Sequence, residues 1–533
     1  MRLDLFLKIF FKRNVSMKKL LLFVLISSLM ISFSVSTTSC RRNIDKPKDT
    51  TIVTKVPVVS QFVYDGMSNY YLWAAEMAGK KPATSSTDPQ AYFQTLLNAK
   101  DKEMGWSWIT DDVDALLADF SGTPVDFGWN LSLLWADQAR TKIVAFVKFV
   151  YPNTPAANAG IVRGNVITKI NGNDIVSSTT ASGYYQKLYG ADQITVTVED
   201  QNYQNPTTKI VSPAQIQTNP VLKDSIYEIN GKKIGYLFYA SFIGEFNDRL
   251  YQTFTKFKTA GINDLVLDLR YNHGGAISAA SFLASLIAPQ GPVQSKSDFT
   301  ILSYNDAINQ LFDQRGWTRK DVLGVSSKGL DPLGANLNLP RVYIIATNDS
   351  YSAAELITFC LKPYMNVIHI GSNTGGKFTG SWTIHAYDSH NDKAVTVYDA
   401  TKMSNEDKFA LKKWGMQPIV AKYTDKNGAD FVSPGHLVPN EVVTSQENDT
   451  RNWKQLGDRN DYLLAKAISL ITGIPVSGAA AATIHRNVYG FRESNLFDPV
   501  DARLKESVQL IPPKELRQKG SELIMMLKQG NFK

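Results

Sequence analysis

Residues 350–381 read SYSAAELITFCLKPYMNVIHIGSNTGGKFTGS. Before them lies RVYIIATND (341–349), an apolar run of strand length. Ser352 then opens AAELITFC, with helical apolar spacing; NVIHIGS (366–372) is a second strand, and a glycine-rich loop follows with Lys377 inside it. Strand, helix and strand in succession, with both strands almost continuously apolar, are the pattern of a parallel β–α–β unit covered on both faces. In such a unit both strands exit at the same sheet edge. Ser352 and Lys377, 25 residues apart, are thereby delivered to the edge where α/β proteins usually place their ligand sites.

Two readings of this pair stand open on residue pattern alone. Ser352-x-x-Glu355 is a capping box that would satisfy free helix N–H groups, with Lys377 an ordinary loop residue. Alternatively the serine is a nucleophile and a buried, neutral lysine takes its proton, with Gly375 and Gly376 letting the chain wrap tightly around the amine. Oxyanion donors are then expected from the Ala353 N–H at the helix start and from Gly274 or Gly275, which follow the strand in LVLDLRYNHGG (265–275). A phosphate-binding loop is not indicated, because GxxxxGK[ST] is absent.

The same alternation extends upstream. KKIGYLFYASF (232–242) reads as a strand, FNDRLYQTFTKFKTAG (246–261) as a helix closed by Gly261, and ISAASFLASLIA (277–288) as another helix. Residues 290–340 read as a polar loop or helical insertion. Further upstream the pattern turns to β: KIVAFVKFV (142–150), NVITKINGNDI (165–175) with a hairpin turn at Asn171-Gly172, and DQITVTVED (192–200), with a short helix expected over 181–190. TPAANAGIVRGNVITKINGNDI (154–175) resembles a PDZ domain, with Asn165 where Asp is usual. That resemblance implies strand addition of a peptide and capture of its terminal carboxylate. The backbone amides of Phe127, Gly128 and Trp129, within DFGWN (126–130), are the candidate cradle. QFVYDGMSNYYLW (61–73) and DPQAYFQTLL (88–97) have helical spacing, and Asp88-Pro89 marks a helix start.

The chain has 533 residues, 44% of them apolar and 20% charged, an ordinary globular composition long enough for two to four domains. Its net charge of +8 includes six cations against Asp4 in residues 1–39, a local +5. The +3 that remains is too little to suggest nucleic acid. MKKLLLFVLISSLMISFSVSTTSC (17–40) reads as an export signal, and its TTSC end resembles a lipobox with Thr37 in place of an aliphatic residue. Cys40 is therefore the expected lipidation site, with a polar tether after it. Cys360 is the one other cysteine, so no disulfide framework is possible, and its apolar neighbours suggest a packed thiol. His273, His369, His385, His390, His436 and His485 show no metal-ligand spacing, and no metal or other cofactor is expected.

LVLDLRYNHGG, NDSYSAAEL and GSNTGGKFTGS together resemble the tail-specific (C-terminal processing) serine peptidase family, in particular its lipoprotein members from Bacteroidetes-type bacteria. The resemblance implies an α/β multidomain chain with a crotonase/ClpP-like protease core, a PDZ domain and a small N-terminal helical module. It assigns the nucleophile to Ser352 and the base to Lys377, with Glu355 at the family interval. Many members carry a glutamine four residues after the lysine. Here that position is Ser381, a possible lysine-orienting hydroxyl. The expected organisation is an export signal at 1–39, a tether at 40–56, helical module 57–120, PDZ 121–220, core 221–475 and an extension of unread role at 476–533. The implied protein is an envelope endopeptidase of a Gram-negative-type bacterium, periplasm-facing or surface-anchored through Cys40, acting on polypeptides with accessible apolar C-termini. The alternative is a catalytically inactive PDZ-containing binding or scaffold lipoprotein of the envelope.

Overall fold

The computed structural model describes residues 55–137, 139–176, 187–190, 192–387, 394–443, 446–447, 449–475, 508–510 and 512–528. The export signal and Cys40, most of the helix expected over 181–190, His390 and His485 lie outside the described residues.

Three helices begin the described chain: α1 (Val58–Tyr70), α2 (Pro89–Leu96) and α3 (Ala99–Met104). The Asp88 side chain caps α2 by accepting from Gln90 N and Ala91 N, with Pro89 in the first turn. The module does not end as pure helix. Strand β1 (Trp108–Thr110) pairs antiparallel with β20 (Gly415–Gln417), some 300 residues later. Phe62, Met67 and Trp106 are fully buried in the same core as the α/β region, so the module is stitched into that core rather than attached to it. Helix α4 (Val113–Phe120) follows.

A second sheet forms its own core around Phe127, Val147, Ile167 and Val196. Its order is β3 (Trp129–Trp135), β4 (Lys142–Val150), β6 (Asn173–Val176), β5 (Val166–Ile170), β7 (Ile194–Glu199), β8 (Thr207–Val211), which leaves β3 at an edge. Asn171 and Gly172 connect β5 to β6 with φ of 51° and 79°, the two-residue turn that NG predicts. A short pair, β2 (Val125–Asp126) with β9 (Ala214–Gln215), closes the entrance to this domain.

The main sheet is mostly parallel. Its order is β10 (Val221–Ile229), β11 (Lys232–Tyr239), β12 (Asp264–Asp268), β15 (Arg341–Ala346), β16 (Asn366–Gly371), β22 (Glu441–Val442), and only β10–β11 is antiparallel. Helices α5 (Asn247–Ala260) and α6 (Ile277–Ile287) join its strands, as does α7 (Ala353–Cys360) between β15 and β16. Gly261 ends α5 at φ 66°. Cys360 is buried, and burial raises its thiol pKa, as a packed thiol requires.

Residues 290–340 are in part the helical insertion expected, with helices over Gln290–Gln294 and Asp306–Arg315, but they also hold strands. They contribute β13 (Asp298–Tyr304) and β14 (Lys320–Val322) to a second layer, ordered β14, β13, β21 (Ile419–Asp425), β17 (Thr379–Ser381), β23 (Val508–Gln509). The polar residues that obscured β13 follow from its intermediate exposure along half its length. The described part of the C-terminal extension is also structural. β23 runs parallel to β17, and α9 (Lys514–Lys528) buries Leu516 and Ile524 in the main core. Helix α8 (Tyr462–Thr472), capped by the Asp461 side chain, packs on the opposite face of the main sheet. Among the described residues no helix is long and apolar enough to cross a membrane.

Candidate active site

Strand β15 ends at Ala346, and the turn that follows is bound to the loop after β12. Thr347 Oγ1 donates to Arg270 O at 2.6 Å, Ser350 Oγ to Leu269 O at 2.7 Å, and Tyr351 N to Asn272 O at 3.0 Å. Ser350 Oγ also accepts from Thr347 N, so this serine is committed to holding the turn. Ser352 is different. Its Oγ is fully buried and makes no hydrogen bond, to Lys377 or to any other group.

Ser352 also sits at φ 56° and ψ −110°, a conformation that a residue with a Cβ rarely adopts. The backbone is held there by its neighbours. Of the two halves of a capping box, the bond made is that of Glu355, whose Oε2 accepts from Ser352 N at 2.9 Å. The same oxygen accepts from Lys377 N at 2.7 Å, while Oε1 accepts from Gly376 N at 2.8 Å and from Thr374 Oγ1. One buried carboxylate therefore fixes the start of α7 and the glycine loop together. Burial pushes the Glu355 pKa up, and these four donors pull against it. From the other side, the Tyr423 hydroxyl of β21 lies 3.2 Å from Ser352 O and 3.0 Å from Lys377 O.

Ser352→Gly removes the Cβ from a strained position, so it should be more stable than Ser352→Ala by about 1–3 kcal/mol, read as a higher urea midpoint. Glu355→Gln replaces one acceptor oxygen by an NH2 facing donors already in place. It should cost about 1–3 kcal/mol and lower turnover as well, because the same carboxylate sets both loops.

Lys377 is fully buried, with Nζ 3.5 Å from Trp106 O. The glycines around it are required. A Cβ on Gly375 would lie 2.0 Å from the Tyr351 ring, and one on Gly376 would lie 2.1 Å from Gly435 O. The N-terminal module supplies the wall of the lysine's surroundings. Trp106 meets Phe378 edge to face, and buried Asp101, bound to Tyr71 Oη and to Ser107 N and Oγ, feels the lysine's charge. Burial raises the Asp101 pKa, and the lysine lowers it in part. Trp106, Asp101 and Tyr423 have no local sequence signal that ties them to Ser352 or Lys377.

The two glycines after β12 differ in their contacts. Gly274 N donates to Asn272 Oδ1 at 2.8 Å. Gly275 has φ 129°, and a Cβ there would lie 2.3 Å from Phe242 O, so only glycine fits. Gly275 N and Ala353 N donate to none of the carbonyls that tie these loops together. Ser381 Oγ donates to Gln417 Oε1 at 2.8 Å, and Gln417 Nε2 continues to Thr383 Oγ1. A glutamine side chain is thus present beside Ser381, supplied by β20.

The histidines stand apart from this arrangement. His369 binds Ala346 O, and burial lowers its pKa to about 4. Both ring nitrogens of His385 face carbonyl oxygens, of Tyr387 and Lys412. His273 lies against the Tyr351 ring. Among the described residues no group of His, Cys, Asp and Glu has the makings of a metal site.

In the PDZ-like sheet, Phe127 and Gly128 form the loop that leads into edge strand β3, which Trp129 begins. Gly128 N donates to Asp126 Oδ1 at 2.5 Å. Partial burial raises the Asp126 pKa to about 6, against the pull of the Gly128 and Phe127 N–H groups.

Three family models match the chain in order: the peptidase S41 N-terminal domain over residues 59–108, a PDZ domain over 146–200 and peptidase family S41 over 233–421. Curated relatives from Staphylococcus aureus and Staphylococcus epidermidis bear the name "Probable CtpA-like serine protease". The first is 23% identical over 308 residues, 57% of this chain and 54% of its own length. The second is 22% identical over 285 residues, 51% of this chain and 50% of its own. The chain therefore spans about half the length of the curated relatives it matches. A crystal structure of a candidate S41 protease from Bacteroides fragilis shares the fold, with a TM-score of 0.59 and 24% identity over 77% of this chain and 97% of that one. The chain thus carries, in order, segments that match the S41 N-terminal, PDZ and S41 peptidase models.

Proposed function

We propose that the chain is a serine endopeptidase in which Ser352 is the nucleophile and Lys377 the general base. The observation that carries this reading is the Glu355 carboxylate, which holds the backbone N–H groups of both residues while Ser352 Oγ stays uncommitted in a strained backbone. Ser352 Oγ attacks the scissile carbonyl carbon as Lys377 Nζ takes its proton. The developing oxyanion is met by the N–H groups of Ala353 and Gly275. Collapse breaks the C–N bond, and Lys377 returns the proton to the leaving amine. Water then adds to the acyl-enzyme, with Lys377 again receiving the proton, and Ser352 is restored. The cycle requires Lys377 to begin as a neutral amine.

The PDZ domain offers edge strand β3 to a polypeptide, and Cys40 is the proposed lipid anchor of an envelope protein. A non-catalytic binding protein is the second reading. It is favoured by one observation, that Ser352 Oγ is not hydrogen-bonded to Lys377 in this structure. Apo sites often tighten only when substrate binds, so that observation alone does not decide. Treating the full chain with a serine-directed phosphonate and mapping the adduct by mass spectrometry separates the two. Labelling confined to Ser352 and lost in Lys377→Met supports the peptidase. No serine adduct on folded protein supports the binding module.

A further inference from the structure

Strand β3 is the free edge of the PDZ sheet, and a peptide strand added there would end against the loop at residues 126–128. That loop is rigid. Gly128 has φ +88°, and a Cβ there would lie 2.3 Å from Thr154 Cβ. Gly128 O accepts from Tyr151 N, and Phe127 O accepts from Ala156 N. Pinned carbonyls fix the direction of the loop amides, which is what a carboxylate cradle needs.

Two of the three cradle amides are already taken by a side chain. Asp126 Oδ1 takes the Gly128 N–H at 2.5 Å, and the Phe127 N–H acts on the same carboxylate. Asp126 is fixed in this role by β2, in which it pairs with Ala214 of β9. The Asp119 carboxylate is near enough to repel it electrostatically. Along the edge itself, Leu131 N donates to the Tyr189 hydroxyl at 3.2 Å.

We propose that Asp126 is a specificity-determining residue: it stands in for a terminal carboxylate, so that the PDZ domain takes polypeptides as extended internal segments and does not select free C-termini. A second carboxylate finds the Gly128 and Phe127 N–H groups already engaged and meets a like charge. The expectation of terminal-carboxylate capture by Phe127, Gly128 and Trp129 changes accordingly. The inference rests on the reading that the PDZ domain presents polypeptides to the Ser352 site, and its test is a binding measurement independent of turnover.

The test uses the full chain carrying Ser352→Ala and a dye-labelled peptide with apolar C-terminal residues. The peptide is prepared as the free acid, as the amide and with a polar C-terminal extension, and binding is followed by fluorescence anisotropy. All three forms should bind within about threefold of one another. Asp126→Ser, which empties the cradle, should bind the acid about tenfold or more tighter than the amide. Asp126→Asn keeps an oxygen on the Gly128 N–H and should remain indifferent. The proposal is overturned if the parent prefers the acid by about tenfold and loses the peptide on extension, whatever the variants do. Absence of binding in every form overturns it too, by removing the PDZ reading beneath it; cleavage of unfolded protein would still report on the Ser352 site separately.

Discussion

Lys377→Met should lower turnover of an unfolded polypeptide by about 10³-fold or more while leaving the fold intact. A positioned general base contributes about 10²–10⁴-fold, and a nucleophile that loses its base is a weakly acidic hydroxyl at neutral pH. Methionine preserves the length and volume of the buried stem, so the walls formed by Trp106 and Phe378 keep their contacts. It also removes an amine from a site with no solvent exposure, which makes a large loss of stability unexpected. A variant that is folded and silent thus separates chemistry from architecture. Equal turnover in Lys377→Met would place the base elsewhere.

The largest effect on stability is expected at Arg270. Its guanidinium is almost fully buried between two carboxylates, Asp268 and Asp461, with contacts of 2.8 Å and 2.6 Å from Nη2. Nε bonds to both Asp268 oxygens, and Nη1 bonds to Asp461 Oδ2 at 2.9 Å. Tyr236 Oη completes the Asp268 side, and Asp461 at the same time caps α8 through Leu463 N and Leu464 N. Arg270→Met leaves two buried carboxylates facing each other without the cation that lies between them. Removing one partner of a buried ion pair costs about 3–5 kcal/mol. The loss should appear as a lower urea midpoint, together with reduced activity, because Arg270 O receives Thr347 Oγ1 and so anchors the turn that bears Ser352.

These residues also show what the chain reveals before it is folded. The β15–α7–β16 unit and the positions of Ser352 and Lys377 at one sheet edge follow from apolar periodicity and from the parallel geometry of such units. The Asn171-Gly172 hairpin and the Asp88 cap are equally local, and all are present in the structure. The choice between capping box and catalytic pair was not available from pattern, because Glu355 takes part in both. Its second oxygen reaches across to Thr374 and Gly376, a contact between a helix and a loop that spacing cannot disclose. Tyr423, Trp106 and Asp101 reach the site from positions 46 to 276 residues away from Lys377 along the chain. Strand β13 was hidden for a different reason: it lies in a half-exposed layer and lacks the apolar continuity that marks β12 and β15. Asp126 illustrates the limit most plainly, since DFGWN places a carboxylate beside candidate amides without indicating that it turns back onto them.

The most direct test of the peptidase reading is fragmentation of an unfolded protein by the purified full chain, followed by mass spectrometry, with Ser352→Ala and Lys377→Met run in parallel. Fragments from the parent alone, with both variants folded and inactive, are the predicted result. Cleavage by Ser352→Ala at the parent's rate would contradict it.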